Sequence, residues 1–95
     1  MSAYVISEVE FLDENLVNTY RSLAAASIAK YEGRYLARGA IPQVVEGETT
    51  ERRIVIVEFP SMEKARKWYT SPDYAEALKL RERALNRRLL FVEGI

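Results

Sequence analysis

The stretch Arg53-Ile54-Val55-Ile56-Val57-Glu58-Phe59 restricts the fold of this chain more than any other. Read as a strand, it places Ile54, Ile56 and Glu58 on one side and Val55, Val57 and Phe59 on the other, so both faces are largely apolar. Such a strand is central and has to be covered twice. A chain of 95 residues has material for helices over one face and little left for the second, so a second copy is expected there and the protein is expected to be a homodimer. A single domain of this size, residues 1–95, buries only about 60–65% of the surface its unfolded chain exposes, and association relieves that shortage.

Composition narrows the chemistry. With 48% hydrophobic and 29% charged residues the chain reads as soluble and globular, and its 14 basic and 14 acidic residues cancel. That balance argues against a nucleic-acid-tracking surface over the whole domain. Lys79, Arg81, Arg83, Arg87 and Arg88 nevertheless cluster near the end, and Glu8, Glu10, Asp13 and Glu14 near the start. A solvated helix face, paired with the acidic end, explains most of that pattern. Cysteine and histidine are absent, which removes disulfides, thiolate metal sites, cysteine nucleophiles and histidine bases together. No metal or cofactor is expected, and any chemistry falls to Glu, Asp, Tyr, Arg, Lys or Ser. No apolar run approaches the roughly 20 residues of a membrane span, and the start lacks a signal-peptide plan, so the cytoplasm is the expected compartment.

Taken in order, Ala3 to Phe11 alternates as a strand, with Ala3, Val5, Ser7, Val9 and Phe11 on its core side. Asp13 suits a helix N-cap, Leu16, Tyr20, Leu23, Ser27 or Ile28, and Tyr31 recur at helical spacing, and Gly33 is expected to end that helix in the left-handed conformation. Arg34 to Ala40 reads as a short edge strand. A long connection through Pro42 and Gly47, placed to reach a partner subunit, leads to the central strand, which Pro60 stops. Ser61 then caps a helix burying Ala65, Trp68 and Tyr69, and Ser71-Pro72-Asp73 starts another with Tyr74, Leu78, Arg81 and Leu85 inside. Leu89 to Ile95 supplies the last strand. The order is that of an α+β, ferredoxin-like βαββαβ unit: an antiparallel sheet with helices on one face.

Three runs carry a further likeness: Tyr31-Glu32-Gly33-Arg34-Tyr35-Leu36-Ala37-Arg38-Gly39, Val57-Glu58-Phe59-Pro60-Ser61 and Trp68-Tyr69-Thr70-Ser71-Pro72-Asp73-Tyr74. Together they resemble the bacterial family catalogued as domain of unknown function 1330, over Tyr4 to Gly94. The resemblance implies a dimeric α+β barrel, two ferredoxin-like units packed sheet against sheet, and implies no activity. Glu32 departs from it, standing where a second glycine is expected before Gly33.

Sheet-to-sheet packing would put Tyr4, Ile6, Glu8, Ile54, Ile56 and Glu58 on the face away from the helices. A carboxylate in an apolar space costs several kcal/mol unless paired or protonated. Glu58 is therefore the candidate catalytic residue, expected in a pocket between sheet and helices or between sheets. Partnered by Arg38 or Arg53, it would recognise an anion or act as a base of raised pKa; an ion pair without a ligand is the plainer reading. Tyr69 and Tyr74 offer phenol donors, and Tyr35 and Arg38 could line the same cavity, although helical spacing explains Trp68 and much of the tyrosine pair as core. The expected function is binding of a small acidic or aromatic metabolite. The alternatives are a cofactor-independent monooxygenase or isomerase with Glu58 as base, and a non-catalytic structural or protein-interaction dimer. An RNA-recognition module shares the topology but needs stacking aromatics where Ile54 to Val57 stand, and is rejected.

Overall fold

The computed structural model describes all 95 residues. Seven elements follow one another: β1 (Ala3–Phe11), α1 (Glu14–Lys30), β2 (Arg34–Ala40), β3 (Arg53–Phe59), α2 (Met62–Tyr69), α3 (Pro72–Ala84) and β4 (Leu85–Glu93). The caps fall where the side chains demand. Asp13 Oδ1 accepts from the Leu16 N–H at 3.1 Å, Ser61 Oγ from Lys64 and Ser71 Oγ from Tyr74, while Pro72 opens α3.

The strands form one antiparallel sheet in the order β2-β3-β1-β4, so β3 is central and β2 an edge, as the pattern predicts. One face is dry: Ala3, Val5, Val9, Val57 and Phe59 pack against Val17, Ala24, Ile28, Trp68 and Tyr74 of the helices. On the opposite face Tyr4, Ile6, Glu8, Ile54, Ile56 and Glu58 are only half-buried. All three helices therefore lie on one side of a ferredoxin-like βαββαβ sheet.

Two local expectations are corrected. Gly33 does not carry the left-handed backbone; Glu32 does, at φ 66°. The chain closes α1 with a paired cap in which Gly33 N–H donates to Ile28 O at 2.9 Å and Glu32 N–H to Ala29 O at 3.1 Å. Glycine is needed at 33 for space, because a Cβ there would stand 2.7 Å from both Ile28 Cγ2 and Phe59 Cε1. Those two side chains are core-packed and cannot retreat freely. Gly33→Ala should therefore cost about 1–2 kcal/mol of stability in urea unfolding, overpacking outweighing the entropy gained in the unfolded chain.

The second correction concerns the last junction. The spacing predicts helix to Leu85 and strand from Leu89, whereas α3 ends at Ala84 and β4 starts at the next residue. Leu85 is already extended, at φ −155° and ψ 157°. It is buried in the core and paired with Phe11 across the ladder, while the N–H groups of Leu12 and Asp13 both donate to Ala84 O. Burying Leu85 in the sheet outweighs the helical preference of the basic run. As a result Arg87 leaves the solvated helix face expected for it and joins Leu85, Leu89 and Phe91 on the dry side of β4.

Candidate functional site

Arg87, itself half-buried, is the centre of a polar cluster whose two phenols are buried. Its Nη1 donates to Tyr20 Oη and its Nη2 to Tyr74 Oη, each at 2.8 Å, and the two phenols are hydrogen-bonded to each other. Three elements supply the three side chains. Tyr20 sits on the inner stripe of α1 with Val17 and Ala24, Tyr74 is held in the first turn of α3 by the Ser71 cap, and β4 delivers Arg87. Burial, reinforced by Tyr74, pushes the Tyr20 phenol far up, so it stays protonated. Burial works against the Arg87 charge, but the two phenol oxygens more than offset it. No carboxylate pairs with this guanidinium.

Beside the cluster a cleft of about 60 Å³ opens between the sheet and α1. Valines from β1 and β3 make its floor, Val17, Ala24 and Ile28 its roof, and Trp68 of α2 also lines it. Arg21, Arg38 and Arg87 line it and no Asp or Glu does. The mouth is aromatic and cationic: the Arg38 guanidinium lies 4.4 Å from the Tyr35 ring centroid, and Arg21 4.8 Å from that of Phe11. Burial raises the Tyr35 phenol, with Arg38 working the other way. On the floor Ser7 is 5% exposed, and its Oγ has no hydrogen-bond partner in the protein. A hydroxyl left so is costly unless something else satisfies it.

The residues read from sequence divide between two faces. Tyr35 and Arg38 line the cleft. Tyr74 stands behind it, fully buried, and acts on it through Arg87 and Tyr20. Arg53 lies beside it, 5.2 Å from the Phe11 ring, with Nη1 donating to Gly39 O at 3.1 Å. Tyr69 is outside: 37% exposed, it sets its ring edge-on to Phe91. Glu58 is on the opposite face of the sheet, in register with Tyr4 and Arg34. Its partner is neither Arg38 nor Arg53 but Arg34, whose Nε donates at 2.6 Å. That bond, with the Ser2 and Tyr4 hydroxyls helping, holds the Glu58 carboxyl below its ordinary value, so a base of raised pKa is not found there. The physical reason is strand parity: Glu58 follows Ile54 and Ile56, while Arg38 pairs with Val55 on the helix side.

Sequence reasoning missed Arg87, Tyr20, Arg21 and Ser7. The signals were faint but present: Arg87 alternates with Leu85, Leu89 and Phe91, and Ser7 interrupts an apolar side of β1. No group of three or more acidic side chains converges to hold a metal, and no helix is long and apolar enough to cross a membrane.

A family model described as domain of unknown function (DUF1330) matches residues 2–95. No curated protein matches. Among solved structures, a protein of unknown function from Rhodopseudomonas palustris superposes with a TM-score of 0.80 at 18% identity, covering 99% of this chain and 82% of the other. A dimeric ferredoxin-like protein of unknown function from Bacteroides fragilis gives 0.64 at 16% identity, over 98% and 96%. SnoaB, a cofactor-independent oxygenase from Streptomyces nogalater, gives 0.68 at 7% identity, over 99% and 93%. At these identities the likeness is one of fold.

Proposed function

From the premise that the chain belongs to the DUF1330 family, we propose that it is a homodimer whose cleft binds a small acidic or aromatic metabolite. One observation carries the reading: three arginines and no carboxylate line a cleft whose other walls are mostly apolar. Uncompensated guanidinium groups in partly dry surroundings favour an anion, and the apolar walls favour an uncharged body attached to it. The second copy is proposed for the half-buried sheet face. Its support is the apolar Ile6, Ile54 and Ile56 there and the dimeric description of the Bacteroides fragilis protein.

A thermal-shift screen with small aliphatic and aromatic acids, at fixed protein concentration, tests this. An acid at 100 times its Kd should stabilise by about 2.7 kcal/mol, a rise of several degrees or more for a domain of this size. Arg38→Ala, at the cleft mouth, should shrink the rise, and Glu58→Gln, on the other face, should leave it intact. No rise with any acid, or a rise abolished by Glu58→Gln alone, defeats the cleft reading and favours a structural or protein-interaction dimer.

A second reading, a cofactor-independent oxygenase or isomerase, has one observation in its favour: a buried phenol pair braced by a cation beside a mostly apolar cleft. The SnoaB likeness supports the fold that such chemistry would use. In that reading Glu58 serves as base only from the sheet-to-sheet side, because it does not reach the cleft. Oxygen uptake on adding an electron-rich aromatic acid that binds would favour it over simple binding.

A further inference from the structure

Resting on the proposed function, the hydroxyl hydrogens around the cleft specify its ligand further. Arg87 gives one N–H to each phenol oxygen, and the phenols share one bond between them. Two phenol hydrogens are present and one is used, so one remains. Tyr74 is fully buried and does not line the cleft, whereas Tyr20 does. If Tyr20 donated to Tyr74, the spare hydrogen would be sealed in without an acceptor. The reverse order, Tyr74 donating to Tyr20, leaves the spare hydrogen on Tyr20, the phenol that lines the cleft, where an acceptor can meet it. On the sheet side of the cleft lies Ser7, its hydroxyl buried and unpartnered. Two hydroxyl donors thus border the cleft, next to a guanidinium with no counter-ion.

We infer that the cleft holds an oxyanion subsite: Tyr20 from α1 and Ser7 from β1 donate to the carboxylate of a small monocarboxylic acid, and Arg87 supplies the opposing charge. Arg87 is the part-buried cation bonded to the phenols and has no carboxylate partner, so a single negative charge suffices to face it there, with Arg21 and Arg38 also lining the cleft. The space selects the end that enters first. A cavity of about 60 Å³ takes a carboxylate head group, whereas a whole benzene ring needs about 150 Å³. An aromatic body therefore stays at the mouth, against Tyr35 and the Arg38 stacked on it.

The experiment is titration calorimetry of the full chain with acetate, benzoate, benzamide and inorganic phosphate, alongside melting of the ligand-free Ser7→Ala and Tyr20→Phe variants. Ser7→Ala removes a hydroxyl that nothing in the protein satisfies, so the ligand-free variant should melt a few degrees higher than the parent. It should nevertheless bind benzoate about ten- to a hundredfold more weakly, the usual worth of a hydrogen bond to a charged group. A purely structural serine would not move both quantities in opposite senses. Tyr20→Phe should weaken benzoate by a similar factor, and benzamide should not bind. Benzoate held equally by parent and Ser7→Ala would overturn the subsite and leave the cleft reading standing. Phosphate bound more tightly than either carboxylate would overturn the ligand class. Failure of both carboxylates to bind the parent would overturn the subsite and the proposed function together.

Discussion

Replacing Trp68 with alanine should lower the free energy of unfolding by about 3–5 kcal/mol, the range for deleting a buried indole. A domain of this size has a total stability on the order of 5–15 kcal/mol, so the loss is a large share of it. The expectation rests on what the ring touches. Trp68 is 2% exposed, and its ring centroid lies 4.2 Å from that of Tyr74 and 5.4 Å from that of Phe59. Its Nε1–H donates to Ser27 Oγ at 3.0 Å, and that serine passes its own hydrogen to Ala24 O at 2.8 Å. Removing the indole opens a void where α1, α2, α3 and β3 meet and strips one acceptor of its donor. Urea unfolding at fixed protein concentration measures it, as a lower midpoint with an unchanged slope. Trp68→Phe keeps most of the ring and gives up the bond to Ser27, so it should cost markedly less. A loss below about 1 kcal/mol for the alanine variant would mean that the helices and the sheet do not share one core.

The fold was legible because its signals are local. Asp13, Ser61 and Ser71 are short oxygen-bearing side chains ahead of apolar-periodic runs, and each caps the helix it announces. Two-sided apolarity in Ile54 to Phe59 placed β3 inside the sheet, and the arginines of β2 placed that strand at the edge. The cleft was less legible because it depends on parity. Whether Arg87 reaches the core or the solvent turns on the residue at which α3 becomes β4, and Leu85 decides that through its burial against the first strand. A helix continued by four residues would have turned Arg87 outward with the rest of the basic run. Glu58 lies outside the cleft for the same kind of reason: one strand position separates it from Val57, which does line the cleft. Side chains from distant segments, such as Tyr20 and Tyr74, meet only once α1 and α3 pack together, and no spacing along the chain records that contact.

The sheet face away from the helices supplies the other large expected effect. Strand pairing sets it out in rows. Ile56, Ile6 and Leu90 run across β3, β1 and β4 as an apolar centre. On one side the row of Glu58 and Tyr4 continues to Arg34, and on the other the row of Ile54 and Glu8 continues to Arg88. Glu58 is bonded to Arg34 at 2.6 Å and Glu8 lies 3.9 Å from Arg88, so the charges bordering the centre are neutralised within one chain. That is how a face can be covered by its own copy without burying unpaired ions. In the proposed homodimer an aspartate at 56 would have to lose its water in the middle of this apolar row. The cost is on the order of 3–5 kcal/mol for each of the two aspartates a dimer would carry, a weakening of association of roughly ten-thousandfold or more. Sedimentation velocity should therefore find two chains per particle for the parent and one for Ile56→Asp at micromolar concentration. Circular dichroism should show the helices retained if the single unit is stable alone. Should the parent itself sediment as one chain, the half-buried isoleucines would face water, and two-sided apolarity in β3 would have to be explained without a partner. Should Ile56→Asp remain dimeric, the second copy sits elsewhere, because no interface centred on this row could bury the added charge unpaired.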